Sequence, residues 1–198
     1  MNLTQAVSVD ISGKFVLLRT CIKHGSVNKP KIRTLWHPPD DGWTKINVDG
    51  AFSSGEGASG AIARDHRGLF LAAKAIWYPN AANALTMEAH AIRDGVVLAR
   101  DQKFQKVIIE TDSLVLSKVL NSGNFKRSEI ASILFDIVEL SKGFCGFSVV
   151  FIRRAGNVAA HMCAQYSVKE RQRCIWTEYA PDFICNCLSV DCNPVAME

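Results

Sequence analysis

The chain is expected to fold as a mixed α/β domain on a sheet of about five strands, in the order βββαβααβα. Three observations predict this. Apolar and polar residues alternate at period two in three consecutive segments between Lys45 and Trp77. From Asn83 onward, helical apolar stripes alternate with short β-branched runs. Finally, 198 residues with 48% apolar and 21% charged content suit one core with some chain to spare, which excludes wholesale disorder and low-complexity structure.

Each element has its own signal. Lys45-Ile-Asn-Val-Asp49 opens the meander, and Gly57–Arg64 and Leu69–Trp77 follow as a hairpin joined by Asp65-His-Arg-Gly68. Asn83 is placed to cap a helix whose stripe is Leu85, Ala89, Ile92, Val96 and Ala99. Lys106-Val-Ile-Ile-Glu-Thr111 is a nearly continuous apolar run, as in a central strand covered on both faces. A helix from Ser113 to Leu120 stops at Asn121–Asn124, and another from Ser128 to Lys142 presents Ile130, Ile133, Leu134, Ile137 and Leu140. Gly146–Arg154 is the fifth strand, and Asn157 is placed to cap a last helix carrying His161.

Outside this pattern lie two segments. Trp36-His-Pro-Pro-Asp-Asp-Gly42 breaks helix and sheet alike, so residues 1–40 read as a loosely ordered basic leader and linker, and 41–170 as the domain. Residues 171–198 lose periodicity and read as a tail dispensable for the core, so truncation after Glu170 should leave a cooperatively folding protein. The net charge of +4 lies wholly in the leader, where six basic residues face Asp10 alone; bulk charge therefore does not argue for a polyanion partner. Neither a secretory signal nor a membrane-length apolar run of about 18 residues is visible, so an intracellular protein with no membrane partner, monomeric by default, is expected. Seven scattered cysteines suit free thiols in a reducing compartment, and Cys185-x-Cys187 is spaced poorly for zinc.

Three carboxylates stand where strand ends and a helix start would bring them together: Asp49 closes the first strand, Asp112 the fourth, and Glu88 lies early in the intervening helix. Converging acids repel unless a cation neutralises them, and hard oxygen ligands favour Mg²⁺ or Mn²⁺. Taken singly, Asp49-Gly50 also reads as a turn, Asp112-Ser113 as a helix cap and Glu88 as solvated surface.

Lys45–Ala51, Gly60–Asp65 with Gly68, Met87-Glu88-Ala89, Ile109–Ser113 and Arg154–His161, in this order, resemble the ribonuclease H domain. More narrowly, they are similar to its reverse-transcriptase-like subgroup, related to non-LTR retrotransposons and common in plants, in which a Trp-Pro-Pro lead-in precedes the first strand. The resemblance implies a ribonuclease H-like fold in which Asp49, Glu88 and Asp112 hold two Mg²⁺ (or Mn²⁺) ions and hydrolyse the RNA strand of RNA–DNA hybrids. It also implies that Gly50, Ala51 and Ser53 lie against the substrate, and that His161 stands where such domains usually carry a fourth metal-binding acid. Two further departures are the absence of a histidine from Arg153-Arg-Ala-Gly156 and a basic protrusion reduced to Lys126 and Arg127. A nuclease, a nucleic-acid-binding module without turnover and a protein-interaction domain remain open as readings.

Overall fold

The computed structural model describes residues 5–9, 15–19, 36–124 and 128–192; Lys126, Arg127 and most of the basic leader lie outside the described residues. Strands β1 (Gln5–Val9) and β2 (Phe15–Arg19) form an antiparallel hairpin within the leader. The main sheet is built from β3 (Thr44–Ser53), β4 (Glu56–Arg64), β5 (Phe70–Tyr78), β6 (Lys106–Thr111), β7 (Gly146–Phe151) and β8 (Cys174–Trp176), in the spatial order β7-β6-β3-β4-β5-β8. The meander β3-β4-β5 is antiparallel, and β6 and β7 add parallel to β3. Helices α1 (Ala84–Asp101), α2 (Leu114–Ser122) and α3 (Ala131–Ser141) cover one face, and α4 (Val158–Glu170) and α5 (Asp182–Cys192) the other.

The order of elements from Lys45 to Glu170 is the one the periodicities predict, and local chemistry explains the boundaries. Asn83 Oδ1 accepts from the Thr86 amide at 2.8 Å and starts α1. Gly123, at φ +66°, closes α2 in the left-handed conformation that glycine adopts without strain. The cores on the two faces have different characters. Between α1–α3 and the sheet lie branched aliphatics such as Ile46, Val48, Ile92, Ile109 and Leu134; at the α4 face, Ala159, Ala160 and Cys163 pack against Ile62, Ala73 and Ala75. Small residues let α4 approach the sheet closely. At Gly60 the approach leaves no room for a side chain, since a Cβ there would sit 2.3 Å from the Ala160 carbonyl oxygen and 2.4 Å from the Ala164 nitrogen. Gly60 is paired in register with Asp49, so this contact also determines where α4 lies relative to that acid. Gly60→Ala is expected to destabilise the protein by roughly 2–3 kcal/mol in urea unfolding, because backbone on both sides must yield.

Two expectations are corrected. The sheet has six strands rather than five, and residues 171–198 are not devoid of regular structure. β8 pairs with β5 (Ala73↔Trp176, Ala75↔Cys174), and α5 buries Ile184 completely against the α4 face. Phe183 stacks on Tyr166 with ring centroids 4.6 Å apart, and Trp176 meets Tyr166 edge-on at 5.5 Å. A three-residue strand is too short to show an alternation, and α5 is anchored by a few aromatics rather than by a regular stripe. At the other end of the domain, Trp36 is buried with the Arg64 guanidinium 3.5 Å above its ring. Among the described residues no helix is long and apolar enough to cross a membrane.

Candidate metal centre

The parallel ladder between β3 and β6 ends at Val48↔Thr111, so Asp49 and Asp112 are the next residues of two adjacent strands. Ser113 takes the capping role at α2, its Oγ accepting from the Leu116 amide at 3.4 Å, and this leaves the Asp112 carboxylate to face the strand ends. Glu88 arrives from the second turn of α1. That turn is pressed onto β3 at Gly50, where a Cβ would lie 2.5 Å from the Glu88 nitrogen and 2.6 Å from the Met87 carbonyl carbon. Carboxylate oxygens of Asp49, Glu88 and Asp112 consequently lie within 4.8 Å of one another.

The electrostatics of this cluster are unfavourable without a counter-charge. Burial pushes the Glu88 carboxyl up to about 8, reinforced by Asp49 and Asp112 and opposed by the Gly50 backbone amide and Arg154. Asp49 is raised to about 6, again chiefly by burial; the His161 hydrogen bond pulls it back and Asp112 pushes it further up. Glu88 Oε2 is buried and has no hydrogen-bond partner. An orphaned carboxyl oxygen beside two other carboxylates fits a divalent cation of the hard, oxygen-preferring kind, whose charge would favour the ionised form.

These shifts imply a pH dependence. Both groups have folded values above those of the unfolded chain near 4, so their stabilisation is fully present below about pH 4 and is lost as pH rises through 6 and 8. Thermal unfolding in chelator should therefore show Tm falling between pH 5 and pH 9. Glu88→Gln should flatten the upper part of that fall, each kcal/mol relieved raising Tm by about 2–4 °C for a chain of this length.

His161, in the first turn of α4, meets the cluster through Asp49, with Nδ1 2.8 Å from Asp49 Oδ2. With the proton on Nδ1, the imidazole donates to the carboxylate and its Nε2 lone pair remains available. Arg154, three-quarters exposed on the 3₁₀ turn Arg154–Gly156, places its Nε 4.0 Å from Asp112 Oδ2. The three residues expected at the substrate separate by strand parity. Ala51 and Ser53 lie on the Asp49 side of β3, half-buried and exposed respectively, whereas Gly50 faces α1, which by itself accounts for a glycine there. Sequence reasoning missed the roles of Arg154 and of Asn47, a fully buried polar residue on β3; an asparagine between Ile46 and Val48 on the strand leading to the acid was the available signal.

A family model described as "Reverse transcriptase-like" matches residues 47–167, more than half of the chain and the whole of this centre. The chain belongs to the reverse transcriptase-like family. Solved structures similar to this domain are ribonucleases H: ribonuclease H1 from the halophilic archaeon Halobacterium salinarum (21% identity, TM-score 0.60, covering 65% of this chain and 98% of that one); the N-terminal ribonuclease H domain of rv2228c from Mycobacterium tuberculosis (18%, 0.59, 65% and 94%); and LC11 ribonuclease H1 in complex with an RNA/DNA hybrid (16%, 0.58, 65% and 98%). At these identities the likeness establishes the ribonuclease H-like fold of this reverse transcriptase-like domain. No curated protein matches the chain.

Proposed function

We propose that this reverse transcriptase-like domain is a divalent-cation-dependent endonuclease that hydrolyses the RNA strand of RNA–DNA hybrids, with two Mg²⁺ or Mn²⁺ ions held by Asp49, Glu88 and Asp112. The single observation that carries the reading is the convergence of three carboxylates within 4.8 Å, one of them with a buried oxygen that nothing satisfies. A structural neighbour in complex with an RNA/DNA hybrid supports the substrate class. Two bound ions would supply an acidified water for in-line attack on the phosphate and positive charge against the departing 3′ oxygen. The protein's own part is positioning. Asp49 stands between Asp112 and His161 and is oriented by the imidazole; Glu88 is held by the Gly50 contact; Arg154 lies at the exposed side of Asp112, placed to meet a substrate phosphate. Ala51 and Ser53, on the Asp49 side, are the proposed neighbours of the nucleic-acid backbone.

The deciding experiment incubates purified protein with labelled hybrid in Mg²⁺ and, separately, in Mn²⁺. Cleavage of the RNA strand alone supports the reading. Hybrid binding with no cleavage in either metal would replace it with that of a binding module without turnover, the reading favoured by an imidazole at the fourth position.

His161 tests the same site from the other side. His161→Asp would set a fourth carboxylate beside Asp49, adding a hard anionic ligand. Activity in Mg²⁺ should rise several-fold, while Tm in chelator should fall because like charges accumulate. Equal Mg²⁺-dependent rates for the two proteins would reject His161 as a ligand and leave a three-carboxylate site.

A further inference from the structure

Asn157 occupies the N-cap position of α4 but makes no capping hydrogen bond with its side chain, contrary to what its place in the sequence predicts. Its Nδ2 donates instead to the Val48 carbonyl at 2.9 Å, and its Oδ1 accepts from Asn47 Nδ2 at 3.2 Å. The orientation of both carboxamides is forced. Arg64 can only donate, and its Nη2 takes Asn47 Oδ1 at 2.9 Å. Asn47 Nδ2 must then face acceptors, which are Glu110 Oε2 at 2.9 Å, Asn157 Oδ1 and the Gly156 carbonyl at 3.4 Å. This turns the amide group of Asn157 toward Val48. Arg64 is in turn held by Asp191 of α5 at 2.7 Å, on a helix that lies outside residues 47–167.

We propose that Asn157 is a positioning residue for the carboxylate cluster, and that Asp191 and Arg64, farther along the same face of the sheet, orient it through Asn47. The inference rests on the reading of Asp49 as a cation ligand. Val48 is the last residue of β3 paired with β6, so from Asp49 onward β4 alone holds the strand and the side facing β6 is open. Asn157 takes the Val48 carbonyl. The same residue's own carbonyl accepts from the His161 amide at 3.1 Å, one turn into α4. One residue therefore ties the backbone carrying Asp49 to the helix turn carrying His161, and buried hydrogen-bonded networks of this kind favour a single geometry.

The test uses Asn157→Ala and Asp191→Asn in the full chain. Asp191→Asn leaves every residue near the carboxylates in place and carries the test alone if Asn157→Ala does not fold. Three quantities are read: the ¹⁵N resonances of the His161 ring in metal-free protein, the affinity for MnCl₂ alone by calorimetry, and kcat and KM on hybrid. In Asn157→Ala the His161 resonances should move, Mn²⁺ affinity should fall about tenfold or more, and kcat should drop with KM little changed. Asp191→Asn should move all three in the same direction by less. Folded variants with wild-type His161 resonances and wild-type Mn²⁺ affinity would overturn the proposal. The outcome also separates it from the nuclease reading. Moved resonances in a protein whose wild type neither binds Mn²⁺ nor cleaves hybrid would overturn the nuclease and leave the positioning role; full cleavage with unmoved resonances would do the reverse.

Discussion

Asp49→Asn is expected to lower hybrid cleavage by more than about 100-fold in either metal while raising the Tm of the metal-free protein. The two effects have one cause. The Asp49 carboxylate is buried beside Glu88 and Asp112, and burial and Asp112 hold its pKa up at about 6 despite the hydrogen bond from His161. Above pH 6 the folded protein without metal must carry that charge in a poor environment, and the isosteric amide removes it. The amide oxygen still accepts from His161 Nδ1, so the α4 contact survives. What the amide lacks is the anionic oxygen that a hard cation selects. Metal-induced stabilisation, the difference in Tm between Mn²⁺ and chelator, should shrink in the variant and increase with pH in the wild type. Unchanged cleavage by purified Asp49→Asn would remove Asp49 from the site altogether.

Truncation after Glu170 is expected to abolish cooperative unfolding or to leave an insoluble chain. Three losses coincide. β5 becomes an edge over Ala73–Ala75, open to pairing with other chains. Ile184 and the two aromatic partners of Tyr166, Phe183 and Trp176, are removed from the α4 face, and each large apolar side chain withdrawn from such a site costs about 1.5–3 kcal/mol. Arg64, whose side chain has no solvent exposure, loses the carboxylate of Asp191, and breaking a buried ion pair from one side costs about 3–5 kcal/mol. These terms together are comparable with the whole stability of an ordinary domain, about 5–15 kcal/mol. A soluble fragment 1–170 with a sharp melting transition near that of the full chain would contradict the role assigned to β8 and α5. Arg64→Met in the full chain gives a milder companion measurement, since it removes the buried charge together with its requirement for a partner.

Most elements between Lys45 and Glu170 were legible because they are amphipathic with their own period, and β6 because it is a short β-branched apolar run. Ile46 and Val48 alternate with Asn47 and Asp49 along β3, and Ala89, Ile92, Val96 and Ala99 share one buried stripe of α1. The acids were legible for a related reason, since a strand's carboxyl end is an address that can be read from its residues, and two such addresses plus an early helical turn converge once β6 pairs with β3. Asn157 shows where this kind of reading stops. Asparagine at the start of a helix predicts a cap, but the hydrogen bond it makes depends on what lies across from it, and Val48 and Asn47 are more than a hundred residues away. Arg64 is a second case, a lone cation in an apolar strand whose partners Trp36 and Asp191 come from opposite ends of the domain.

By itself, then, the sequence determined the mixed α/β order, the helix cap at Asn83, the helix stop within Asn121–Asn124 and the three carboxylates at Asp49, Glu88 and Asp112. Periodicity and turn chemistry act over a few residues and are written locally. Only the tertiary structure decided that a sixth strand and α5 close the second face, that Gly50 and Gly60 exist to bring α1 and α4 against β3 and β4, and that His161 engages the centre through Asp49. Those outcomes depend on close approach between segments distant in the chain, where a few tenths of an ångström and the direction of one amide group are set by everything packed around them.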